Sequence, residues 1–172
     1  MVVIKSEEYV QKFIGVTSSF EGDKLVSEYA LQAILNNEGN NTEDAYFLNA
    51  KSGELIEHYK LGELGGSIFE LPKLDNDEKI IAIHNHPNNV SFSFKDFVTM
   101  NNFSEIKTMI AAAHNGAVYF MSVGNGRRLS LYEDNQKLYY ENLWGRFYRD
   151  IGGDDGALRE FAGGLGWIFY VK

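Results

Sequence analysis

Apolar residues recur at three- and four-residue spacing over 23–37, where Leu25, Val26, Tyr29, Ala30, Ala33 and Ile34 make one face. That period predicts an amphipathic helix, and Gly39 supplies a stop just beyond it. Residues 45–49 and 54–59 alternate as strands, joined by the Gly-containing hairpin loop Ala50-Lys51-Ser52-Gly53. A third short strand is expected at 67–71, ended by Pro72. Residues 79–84 are almost continuously apolar, which suits a strand buried on both faces. A helix is expected from 93 to about 103. Strands at 109–113 and 117–122 flank Asn115-Gly116, a strong hairpin signal. Residues 137–151 and 157–165 read as helices and 167–171 as a final strand. The aromatics from Tyr139 to Tyr148 are expected to be core. The order predicts a mixed α/β (α+β) fold, with a largely antiparallel sheet flanked by helices.

Composition narrows what such a fold does. The chain has 172 residues, 2 prolines, no cysteine and a net charge of -8. No Pro- or Ser-rich linker divides it, so a single domain over 1–172 is expected. Without cysteine there is no disulfide, zinc ribbon, iron–sulfur cluster or thiol nucleophile. The Pro-Cys-x-x-Cys half-site of zinc nucleobase deaminases is likewise excluded. Any metal must sit on His, Asp, Glu or water. The acidic balance and scattered basic residues argue against nucleic acid as a partner. The longest apolar runs are far short of the ~20 residues of a membrane span. With Lys5, Glu7 and Glu8 near the start instead of an apolar leader, the expectation is a cytoplasmic protein with no membrane partner.

The chemistry concentrates in residues 80–96. His84 and His86 are two of four histidines and stand two apart, so on extended backbone both rings point to one side. Pro87 cannot donate to a ladder, which puts the pair where a buried strand leaves the sheet. Asp96 follows ten residues later, in the first turn of a helix capped by Ser93. Two imidazoles and one carboxylate fill three positions on zinc and leave a fourth for water, as in catalytic sites. Glu43, just ahead of the first strand, is the candidate general base. Each residue also has a plainer role. Ser93-x-x-Asp96 reads as a capping-box variant. His58 and His114 fit ordinary strand and turn positions, and Asn88-Asn89 fits a turn.

In this order, Glu43 and then His84-Asn85-His86-Pro87 with Ser93-x-x-Asp96 resembles the signature of the JAB/MPN/Mov34 (JAMM) metalloproteases. The likeness is to the bacterial and phage JAB-like (RadC-like) branch, and Ser91-Phe92-Ser93 is similar to a string in its phage and toxin-associated members. It covers about residues 23–125 and leaves 126–172 as a helix-rich extension. It implies a cytidine-deaminase-like JAB/MPN domain, with Zn2+ on His84, His86 and Asp96. Glu43 would carry the water's proton to the leaving amine, and Ser93 would help stabilise the oxyanion. The substrate implied is a peptide or a ubiquitin-like protein, cut at an amide or isopeptide bond. The spacer from His86 to Ser93 is one residue shorter than in many eukaryotic members.

Three other readings compete. The first is a catalytically inactive MPN-like scaffold that binds partners; here every motif position is filled. The second is a non-haem iron oxygenase, whose facial triad is also two histidines and a carboxylate; the helices expected at 23–37 and 93–103 fit poorly with its nearly all-β barrel. The third is a nuclease suggested by His84-Asn85-His86, against which the charge and the missing basic patch count.

Overall fold

In the computed structural model, residues 6–63, 71–74, 77–131 and 133–172 are described. Five α-helices and six strands are present among them: α1 (Ser6–Val10), α2 (Phe20–Asn36), β1 (Thr42–Asn49), β2 (Leu55–Glu63), β3 (Ile80–His86), α3 (Phe94–Asn102), β4 (Ile106–Ala113), β5 (Val118–Ser122), α4 (Asp134–Phe147), α5 (Gly153–Leu165) and β6 (Ile168–Val171). The strands form one sheet in the order β2-β1-β3-β4-β5-β6. Only β3 and β4 run parallel; the other pairs are antiparallel. The expected mixed, largely antiparallel α/β fold is therefore what the chain adopts.

Strand parity divides the core in two. One face carries Tyr46, Leu48, Ile81, Ile83, Ile110 and Phe120, buried beneath Val26, Ala30, Ala33 and Ile34 of α2. Gly53 in the β1–β2 loop lies against the backbone of Gly22 in α2 at φ +77°, so a Cβ there would meet main-chain atoms. The opposite face carries Phe47, Ala82, Met109, Ala111 and Met121. It is covered by Phe97 and Met100 of α3, Trp144 of α4, and Leu158, Phe161 and Leu165 of α5. Residues 126–172 are thus no appendage. With α3 they close one face of the sheet, and β6 pairs with β5.

Several boundaries differ from expectation for identifiable reasons. The chain folds before residue 23: α1 and a 3-10 turn at Gln11–Phe13 bury Tyr9 and Phe13 edge-on, and Phe13 meets Phe120 at 5.8 Å. Helix α2 starts at Phe20, capped by Ser19, while Asp23 Oδ2 and Oδ1 accept from the Gly15 and Thr17 amides at 2.7 Å each. The apolar period missed this first turn because Phe20 is exposed. The helix expected over 137–151 instead ends at Phe147. A π-type turn, Tyr148–Gly152, follows, and Gly152 and Gly153 turn the chain at φ +119° and +70°. Of the aromatics expected in the core, Trp144 is buried and Tyr140 and Phe147 pack partly against it, but Tyr139 and Tyr148 are exposed. The strand expected at 67–71 falls mostly outside the described residues, and Leu71 is in irregular structure.

Candidate metal centre

Every residue of β3 is buried, and the strand continues past residue 84 through both histidines. The ladder to β1 ends at Ala45 opposite His84, whereas the ladder to β4 runs on to Ala113 opposite His86. His84 is therefore flanked by Ala45 and Ala111, and His86 by Ala113. These small neighbours leave room for two imidazoles on one face. Phe92 packs beside both rings at centroid distances of 6.0 and 6.5 Å.

The donor atoms converge. His84 Nε2 lies 2.8 Å from His86 Nε2, and Asp96 Oδ1 lies 3.5 Å from His84 Nε2. Asp96 Oδ2 is 3.8 Å from His86 Nε2. One ligand atom from each residue fits within a 4.8 Å group able to hold a metal ion. His86 Nδ1–H donates to the Val90 carbonyl at 2.8 Å, which leaves its Nε2 lone pair for the site. Two imidazole nitrogens 2.8 Å apart need a proton or a cation between them. Burial pushes His84 down to about 4, so this ring is neutral at pH 7 and its lone pair is available.

Helix α3 aims the carboxylate. Ser93 is its N-cap and completes a capping box with Asp96. The Ser93 amide and hydroxyl donate to Asp96 Oδ2 at 2.8 and 2.7 Å, and Ser93 Oγ accepts from the Asp96 amide at 3.3 Å. Oδ2 is thereby held by Ser93 and Oδ1 is turned to His84. Burial opposes the Asp96 charge, but His84, His86 and the Ser93 bonds outweigh it and hold the carboxyl below its ordinary range. The capping and site readings of Ser93 thus meet in one hydroxyl, whose proton goes to Asp96. An oxyanion contact would require that hydroxyl to rotate away.

Glu43 lies two residues beyond Ala45, the last β1 residue paired with β3, at the end of the strand opposite His84. It is half-buried, and burial raises its pKa. The field of His86 works against that rise, Asp96 adds to it, and Lys95 lowers it. Glu43 therefore belongs to the same electrostatic unit as the three donors.

The other two histidines serve the fold. His58 stacks on Tyr46 and contacts Asp44, and His114 contacts Asn85. Asn89 takes a left-handed turn at φ +57° and accepts from the Asn115 amide, which ties the loop after β3 to the β4–β5 turn. The sequence reading missed Asp154, in the first turn of α5. Trp144 Nε1 donates to its Oδ1 at 3.1 Å, and the Trp144 ring packs on Phe94 and Phe97 of α3. Burial raises the Asp154 pKa, the Trp144 bond lowers it, and the charges of Asp96 and His86 reach it as well. No local signal marks a carboxylate 58 residues after Asp96.

No family model, curated protein or solved structure matches this chain. Among the described residues, no helix is long and apolar enough to cross a membrane.

Proposed function

We propose that this protein is a zinc-dependent metallopeptidase or isopeptidase of the JAMM type. The observation that carries the reading is the convergence of His84, His86 and Asp96 on one point, with Glu43 in their field. The donor set suits zinc. Tetrahedral zinc ligands at about 2.0–2.1 Å from the ion stand roughly 3.3 Å from one another. The edges of 2.8 and 3.5 Å at His84 Nε2, and of 3.8 Å from His86 Nε2 to Asp96 Oδ2, lie around that spacing. The open six-stranded sheet also differs from the barrel of most two-histidine, one-carboxylate iron oxygenases.

A zinc ion held there would lower the pKa of its water toward ~7 and polarise a substrate carbonyl. The chain's residues supply the rest. Glu43 accepts a proton from the attacking water and passes it to the nitrogen of the departing amine as the amide C–N bond breaks. Its raised pKa suits both halves of that transfer. Ser93 keeps Asp96 aimed through the bonds to Oδ2. The substrate class is a peptide or the tail of a ubiquitin-like protein.

The test is hydrolysis by the zinc-loaded full chain of a peptide library and of isopeptide-linked ubiquitin-like conjugates. Wild type is expected to cleave one of these classes. Glu43→Gln is expected to keep about one zinc per chain and to lose roughly 10²–10⁴-fold in rate. Full activity in Glu43→Gln, or loss of its zinc, overturns the role of Glu43. A zinc-loaded wild type that cleaves nothing leaves the scaffold reading in place of the enzyme.

A further inference from the structure

We propose that Asn85, the residue between the two histidines, is the positioning residue for Glu43. The inference rests on the catalytic reading of Glu43 given above. Strand parity sends Asn85 to the face opposite His84 and His86, where it is completely buried. Its Oδ1 accepts from the Asp44 amide at 2.7 Å, and its Nδ2 donates to the Thr42 carbonyl at 3.0 Å. Thr42 C=O belongs to the peptide group before Glu43, and Asp44 N–H to the one after it. One side chain therefore holds both peptide groups that flank the proposed base.

The contact sits beyond the end of the β1–β3 ladder and beside an irregularity in the β1–β2 ladder. The ladder to β3 stops at Ala45, and the ladder to β2 slips between Glu43 and Asp44. Glu43 still pairs with Gly62 on the β2 side, but no β3 backbone pairs with this stretch, and the Asn85 amide takes that side. Its orientation is settled by chemistry: a backbone N–H on one side and a C=O on the other admit only one placement of oxygen and nitrogen. The amide is itself braced. Asn37 Nδ2 reaches Oδ1 at 3.3 Å and also bonds the Ala33 carbonyl at the end of α2, while His114 Nε2 stands 3.0 Å from Asn85 Nδ2. A leucine here would strand a buried donor and a buried acceptor. An aspartate would turn an acceptor toward the Thr42 carbonyl. Asn85 thus joins the two halves of the site: its neighbours along β3 are the histidines, and its bonds grip the strand that carries Glu43.

Asn85→Ala in the zinc-loaded full chain tests this. A misplaced base is expected to cut kcat by about tenfold to a hundredfold. KM and zinc affinity should stay within about twofold, the pattern of a lost transition-state interaction. In a Glu43→Gln background the same substitution should change the residual rate by less than about twofold, because the two residues act as a unit. Equal losses in both backgrounds, or an unchanged kcat, overturn the proposal. A readout without hydrolysis is the carboxyl-carbon chemical shift of Glu43 on adding zinc. A shift in wild type that is lost in Asn85→Ala supports positioning even if no substrate is cleaved, in which case only the peptidase reading falls. The same shift in both proteins overturns it. Should Asn85→Ala fail to fold, Asn37→Ala removes one brace, and a smaller change in the same Glu43 signal is expected; none at all overturns the proposal.

Discussion

Histidine–carboxylate contacts lie on both faces of the same sheet. His58 Nε2 meets Asp44 Oδ2 at 3.0 Å on the α2 face, closer than any contact between Asp96 and His84 or His86. Yet the tighter pair is the structural one. Asp44 Oδ2 also accepts from Asn36 at 3.0 Å, and the single imidazole is stacked on Tyr46 at 4.2 Å. The carboxylate's lone pairs are answered by donors from α2 and β2. On the other face, two ring nitrogens confront each other, and Ser93 claims only one carboxylate oxygen. Proximity of His to Asp is therefore a poor guide to a metal site. What separates the two is whether converging lone pairs are already answered by protons.

The largest effect expected from this contrast comes from replacing His84 and His86 together with alanine. Zinc content should fall from about one per chain to none, by metal analysis, and hydrolysis should vanish with it. Wild type at about 100-fold zinc over Kd should gain ~2.7 kcal/mol, or roughly 5–10 °C in Tm. The double variant should gain nothing, and His58→Ala should keep the whole gain. Loss of the zinc response in His58→Ala would erase the distinction between the two faces.

A smaller effect is expected for Ser93→Ala. Freeing Asp96 Oδ2 should weaken zinc about tenfold by competition with a chelating dye. Loss of the α3 cap should cost about 1 kcal/mol in urea denaturation. Stability loss with unchanged zinc affinity would assign Ser93 to the helix alone.

The smallest effect on the metal is expected at Asp44→Asn, which should cost about 1–2 kcal/mol of stability at neutral pH and leave zinc affinity unchanged. Burial opposes the Asp44 charge, but bonds from Asn36, His58 and Asn37 outweigh it and hold the carboxyl below its ordinary value. A folded-state pKa below the unfolded one gives stability that is complete above the unfolded value. That stability is lost as pH falls through the folded one. The gap between wild type and variant should therefore narrow below about pH 4. A constant gap from pH 7 to pH 3 would remove the charge from the account.

The donors were legible because they are local. His84, His86 and Asp96 span thirteen residues, and a two-residue period followed by a capped helix needs no distant information. Ser93 was legible as a cap for the same reason. Glu43 was marked by its place just ahead of the first strand and by the family resemblance, since no local motif separates it from 23 other acidic residues. Asn85 filled a spacer position, and Asp154 stood in a segment with no motif. The first helix was missed because its burial depends on Tyr9 and Phe13 reaching Phe120 and α2.

By itself, then, the amino-acid order determined the mixed α/β class, the faces of its strands and the two-histidine, one-carboxylate set, because backbone period and helix capping are short-range physics. Tertiary structure decided what surrounds that set. Antiparallel pairing of β1 with β3 brings Glu43 to the histidine end, and α5 brings Asp154 to Trp144, whose ring packs on α3. The buried Asn85 amide completes hydrogen bonds that the ladders leave open. These are contacts between segments tens of residues apart, and only the burial of both faces of one sheet brings them together.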